Sequence, residues 1–168
     1  MTDNYVELLV KRKTSPMLKA LRFACILMCV FQFILAVLST AVFFVFTGIV
    51  FWLIGALVGH FANVEYEYLY VDKQLSIDKI NNQRKRKKVA EYALNTDMEV
   101  LAPCGSPHLD YYTDKVSAVR DYTSGWQDAE EYAMIVHVDK QLEMLRLEMN
   151  EELLKQITMV SPRKVFKD

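Results

Sequence analysis

Apolar and polar positions along this chain fall into three regimes. A short mixed lead-in precedes residues 23–59, a run of 37 residues without an Asp, Glu, Lys or Arg, and a region of short alternating stretches follows Asn63. As one helix the apolar run would reach roughly 55 Å at about 1.5 Å per residue, too long for a single crossing of a hydrocarbon core of about 30 Å. Two crossings fit, over about 17–38 and 42–61, with a tight turn around Leu38, Ser39 and Thr40. Ser15-Pro16 supplies a helix start with proline at the first helical position. A secretory signal would have an apolar core of only about 7–15 residues, so the run reads as an uncleaved anchor.

Beyond Asn63 the period changes to two. Val64–Val71 alternates, with Tyr66, Tyr68 and Tyr70 on one side and Glu65 and Glu67 on the other. Asp72-Lys73 then turns the chain into a second strand from Gln74 to Ile80. Further strands are expected over 86–94, 98–101, 116–122, 132–138 and 142–149, the last two joined at Asp139-Lys-Gln141. Asn150 reads as an N-cap, with Glu151 and Glu152 in the first turn and an apolar stripe of Leu153, Leu154, Ile157 and Val160. Ser161-Pro162 ends that helix. Within the tail 161–168, the polar stretch Arg163 to Asp168 is expected to fray, unless Val165 and Phe166 dock. The lead-in 4–10 is either an interfacial helix or a strand of the later β domain.

The expected fold is therefore an α+β membrane protein. It has an N-terminal lead-in (1–16), a two-helix transmembrane hairpin (17–61) and a β domain (62–160) of seven antiparallel strands with a capping helix at 150–160. The order of elements resembles a pleckstrin-homology-like (PH-like) barrel, as found in bacterial membrane proteins that place such a domain after paired spans. The stretches Val64-Glu-Tyr-Glu-Tyr-Leu-Tyr-Val71, Lys85-Arg-Lys-Lys-Val-Ala90, Val100-Leu-Ala-Pro103 and Ser161-Pro-Arg-Lys-Val-Phe166 are similar to those of a poorly characterised bacterial family of small membrane proteins. That resemblance covers nearly the whole chain, and what it implies is architecture rather than activity or site residues.

Charge adds topology. The formal net charge is only -1, yet Lys11, Arg12, Lys13, Lys19 and Arg22 precede the apolar run, and Lys73, Lys79 and Arg84–Lys88 follow it. The turn has no basic residue. Basic residues near span ends concentrate on the cytoplasmic side, so both termini are expected in the cytoplasm of a cell whose plasma membrane holds the hairpin. Cys25, Cys29 and Cys104 suggest no natural pairing, which suits a reducing compartment.

Candidate chemistry is sparse. Arg84, Lys85, Arg86, Lys87 and Lys88 would favour anionic headgroups by about 1 kcal/mol each if they faced a membrane. On a strand they point alternately to two faces, and the bland alternative is a solvated edge that resists aggregation. Glu65, Glu67 and Glu91 dilute the cluster, and the chain as a whole is not basic, which argues against nucleic acid. Gly55 and Gly59 form a GxxxG pattern that serves either packing within the hairpin or contact between copies. Gln32, the amide of the apolar run, is expected to bond a neighbouring helix.

Cys104, His108 and Asp110 share one loop and contain the groups of a thiol nucleophile, but such triads are normally assembled from distant segments. One Cys and one His also leave a tetrahedral metal short of ligands. His60 is expected at the interface and His137 on a strand, and the tyrosines at 66, 68, 70, 92, 111, 112, 122 and 132 are expected to pack. These patterns suggest a non-enzymatic interaction module without catalytic residues, cofactor, metal or small-molecule substrate. The partners expected are the bilayer and another membrane protein or a second copy, with anionic-lipid binding through 84–88 as the alternative and a Cys104-dependent enzyme last.

Overall fold

A computed structural model describes residues 5–81 and 84–167, without the side chain of Phe61. The chain divides into two units. The first comprises Met1–Lys13, Glu65–Ile80 and Arg86–Asp168, and the second Thr14–Val64 with Asn81–Lys85.

The second unit is built on α1 (Pro16–Ser39) and α2 (Val42–Ala62). At about 1.5 Å per residue their 24 and 21 residues make rods of roughly 36 and 32 Å, enough to cross a hydrocarbon core. Thr40 adopts a left-handed conformation (φ 52°) that ends α1 and turns the chain. Their apolar side chains are largely exposed, among them Phe23, Phe31, Phe43 and Trp52, and both helices are long and apolar enough to cross a membrane.

Eight strands are present among the described residues, in two sheets of four, all in the first unit apart from the end residues Val64, Asn81 and Lys85. One sheet runs β1 (Tyr5–Lys11), β2 (Val64–Val71), β3 (Gln74–Asn81) and β4 (Lys85–Ala93) in that order. The other has the order β5 (Met98–Pro103), β7 (Glu131–Val138), β8 (Gln141–Glu148) and β6 (Val116–Asp121). Two tight turns organise the hairpins: Asp72-Lys73 (φ 47° and 71°) and Asp139-Lys140 (φ 48° and 69°) both take the left-handed pair that matches strand twist.

Two expectations need correction, and an alternative left open for the tail is decided. The strand set is eight rather than seven, because residues 5–11 of the lead-in are β1. Residue 4, where that segment was expected to begin, lies outside the described residues, as does Asp168. Nor is the β domain wholly antiparallel, since β6 runs parallel to β8. The segment between β6 and β7 returns the chain across the sheet, so the two strands need not alternate in direction. For the tail, the docking of Val165 and Phe166 is the alternative found: Leu101 N donates to Lys164 O and Phe166 N to Leu101 O, both at 2.8 Å, and this capping of β5 protects an open edge.

β1 belongs to the core by pattern. Val6, Leu8 and Val10 sit opposite Tyr70, Tyr68 and Tyr66, and Tyr68 and Tyr70 are fully buried. The Tyr68 hydroxyl donates to Tyr122 O at 2.9 Å, and the Tyr66 and Tyr122 rings meet edge to face at 5.4 Å. Desolvation pushes the Tyr92 phenol up to about 12. A further cluster of Val100, Ala102, Leu109, Ala133 and Ile135 is joined by Tyr112 and Phe166. Leu109 comes from the 3-10 turn η1 (Pro107–Leu109), which leads into the short α3 (Asp110–Thr113).

The C-terminal helix α4 (Glu151–Val160) forms as its sequence dictates. Asn150 Oδ1 accepts from Leu153 N at 2.8 Å, Glu151 and Glu152 complement the first-turn dipole, and Leu153 and Ile157 are fully buried.

Candidate functional site

The basic strand is accessible because β4 is an edge strand. All five side chains from Arg84 to Lys88 are exposed, so the alternation of strand faces does not bury half of them. Their surroundings differ. Arg86 donates to Glu67 Oε1 at 2.7 Å and lies 3.9 Å from Asp78, while Lys88 pairs with Glu91 at 3.0 Å. Arg84, Lys85 and Lys87 have no ion-pair partner among the described residues. Arg84 and Lys85 fall in the same unit as the two apolar helices.

Behind Arg86 is a polar cluster that local pattern did not disclose. Glu67 and Asp78 are only 3% and 7% exposed, and Glu67 Oε2 and Asp78 Oδ1 are buried without a hydrogen-bond partner among the described residues. Burial pushes the Glu67 carboxyl above its ordinary range, with the Arg86 guanidinium pulling the other way. Alternation puts Glu67 opposite the tyrosines, but burial of that second face is a tertiary property with no local signal. On the other sheet Arg120 grips Glu143 through two hydrogen bonds of 2.5 and 2.8 Å, which hold that carboxyl below its ordinary range.

Gly55 and Gly59 face α1. A Cβ on Gly55 would lie 3.4 Å from Cys25 Cβ, and one on Gly59 would lie 3.1 Å from Arg22 Cζ. Gly48, one heptad before Gly55, meets the Phe33 ring in the same way at 3.3 Å, so small residues allow α2 to approach α1 along its length. The Gln32 carboxamide oxygen, by contrast, is buried without a hydrogen-bond partner among the described residues.

The loop 103–110 separates its three reactive groups by role. Cys104 N donates to Glu131 O, and its thiol neighbours the Arg146 guanidinium. Desolvation nevertheless raises the thiol pKa, the opposite of what activates a nucleophilic cysteine. His108 stacks on Phe166 with ring centroids 3.7 Å apart, and Asp110 opens α3. His137 pairs with Glu99 at 2.6 Å on an exposed face, and His60 lies in the last turn of α2. Of the tyrosines, Tyr111 departs from the packed set: it is exposed, with Lys115 Nζ 3.0 Å from its ring centroid. Among the described residues no group of three His, Cys, Asp or Glu is arranged to hold a metal ion.

Two four-stranded sheets closed by a C-terminal helix define a PH-like domain, here carrying a helical hairpin between its first two strands. The family model described as Bacterial PH-like domain (DUF6106) matches residues 2–167, and the chain belongs to that family. No curated protein and no solved structure matches it.

Proposed function

We propose that this chain is a multi-pass plasma-membrane protein whose termini and PH-like domain are cytoplasmic, and that the domain is a non-enzymatic interaction module for another protein of that membrane. The observation that carries the reading is the insertion of the hairpin between β1 and β2. Lys11 and Glu65 are cross-strand partners, so the chain leaves the domain for the hairpin and returns from it at one end of one ladder. Two crossings bring a chain back to the side it left, and the basic residues on both flanks favour the cytoplasmic side. The raised thiol of Cys104 speaks against an activated nucleophile. Crosslinking in the native membrane, mild-detergent purification and mass spectrometry test the proposal: a stoichiometric partner is expected, and protein that repeatedly travels alone would overturn it.

A second reading is favoured by the exposure of Arg84, Lys85 and Lys87 without ion-pair partners. In it the edge strand contacts anionic headgroups, each residue contributing about 1 kcal/mol close to the surface. Replacing these three by Gln should strip anionic lipid from the purified full chain, and unchanged lipid content would remove the reading.

A further inference from the structure

We infer that the loop 122–130 is an interfacial anchor, with Trp126 seated in the phospholipid headgroup layer. This rests on the membrane reading of the hairpin and adds a contact surface to it. Trp126 is 54% exposed on a loop that is otherwise firmly held. Thr123 and Ser124 are buried, Thr123 N and Oγ1 both donate to Asp121 Oδ1, and Ser124 N donates to Glu148 Oε1. Gly125 takes a left-handed turn (φ 73°), and Trp126 N donates to Ser124 Oγ at 3.1 Å. A large ring displayed in water on an ordered loop is left without the burial that ordinarily accompanies it.

The ring is held against a residue that is close along the chain to the first apolar helix. Lys13 N donates to Ser124 O at 2.7 Å, and Lys13 Nζ sits 4.6 Å from the Trp126 ring centroid. Pro16, the first residue of α1, is three residues further on, a reach of at most about 10 Å. A headgroup layer is roughly 5–8 Å deep, the difference between a whole bilayer and its core shared over two sides. Tryptophan prefers this layer because its ring is apolar and its N–H needs a polar partner.

The neighbours of the ring suit the same solvent. Leu9, 46% exposed, lines one cleft with Val10, Lys11, Ser124, Trp126, Asp128, Ala129 and Glu148. Lys11, Arg12 and Lys13 add positive charge although Lys11 also pairs with Glu65 and Arg12 donates to the Tyr66 hydroxyl, whereas Asp128 and Glu130 oppose selectivity for anionic lipid. The attraction is therefore that of the indole for the headgroup layer, which zwitterionic lipid supplies as well. This separates the loop from the basic strand, whose binding depends on anionic charge.

The chain has two tryptophans, Trp52 in α2 and Trp126, which makes the test direct. Full-length W52F and W126F proteins are reconstituted into phosphatidylcholine bilayers containing lipids brominated either near the glycerol or deep in the acyl chain. In W52F, emission from Trp126 should be blue-shifted, quenched by shallow bromines and poorly quenched by aqueous iodide. Ready quenching by iodide with no loss to bromolipid would overturn the inference. W126F provides the separation: if Trp52 is quenched by bromolipid and Trp126 is not, the anchor alone fails, and if neither is quenched the membrane reading fails with it.

Discussion

Lys11 and Glu65 face one another across the β1–β2 ladder, their charged ends 3.8 Å apart, although residues 12–64 of the chain run between them. The hairpin is thus an insertion in a sheet rather than a leader in front of one. The β domain needs a strand from each side of it.

That relationship decides which fragments fold. A chain beginning at Asn63 lacks β1, leaving Tyr66, Tyr68 and Tyr70 without Val10, Leu8 and Val6 and exposing β2 as an open edge. A chain in which a short Gly/Ser linker joins Lys13 to Asn63 retains the pair. We expect a cooperative thermal transition by circular dichroism for the linked form and a broad or absent one for the truncated form. Equal transitions would show that β1 is dispensable.

Gly55 reports on the hairpin. Its constructed Cβ lies 3.4 Å from Cys25 Cβ, close to the roughly 3.5–4.5 Å that a disulfide requires. Gly55→Cys, with Cys29 and Cys104 replaced by Ala, should therefore oxidise within one chain and run as a monomer on a non-reducing gel. A covalent dimer would instead place that glycine face between copies.

Two buried carboxylates should give opposite pH dependences. Glu143 is held down by Arg120, so its contribution is present above the ordinary glutamate pKa of about 4.3 and is lost as pH falls through the lower native value. Glu67 is pushed up by burial, so its contribution is full below that pKa and is lost as pH rises through the higher native value. In denaturant titrations, E143Q should fall behind the parent as pH rises, and E67Q should gain on it. The same sign for both would contradict the electrostatic account. At neutral pH, Arg120→Ala should cost about 1–3 kcal/mol by leaving the Glu143 carboxylate buried and unpaired.

The basic strand is not uniform. In the linked form, neutralising Lys85 and Lys87 should weaken sedimentation with anionic liposomes by about 2 kcal/mol, or roughly thirty-fold at low salt. Neutralising Arg86 should chiefly cost stability, because its guanidinium already serves Glu67 and Asp78. Equal losses of binding from both changes would contradict this division.

Strands β2 to β8, the hairpin and α4 were all legible, because each has a local signature: alternation bounded by turn residues, a charge-free run, or an N-cap ahead of an apolar stripe. β1 was ambiguous because Leu9 interrupts its alternation and its partner is distant in sequence, so nothing local distinguishes it from an interfacial helix. The parallel β6–β8 pairing has no signature at all. The basic cluster was visible as composition, and the glutamates near it were visible as dilution. Which lysines remain unpaired depends on how β4 lies against β2 and β3. Trp126 was passed over because its neighbour, Lys13, is more than a hundred residues away and nothing in the loop itself announces it.

The most direct test of the account is topological. In a chain without its native cysteines, Ser39→Cys at the end of α1 and Met159→Cys on the exposed face of α4 are labelled separately with a membrane-impermeant maleimide on intact and permeabilised cells. The account requires labelling at 39 from outside and at 159 only after permeabilisation. Labelling at 159 from outside, or at both positions only after permeabilisation, would contradict a hairpin that crosses the plasma membrane and returns to a cytoplasmic domain.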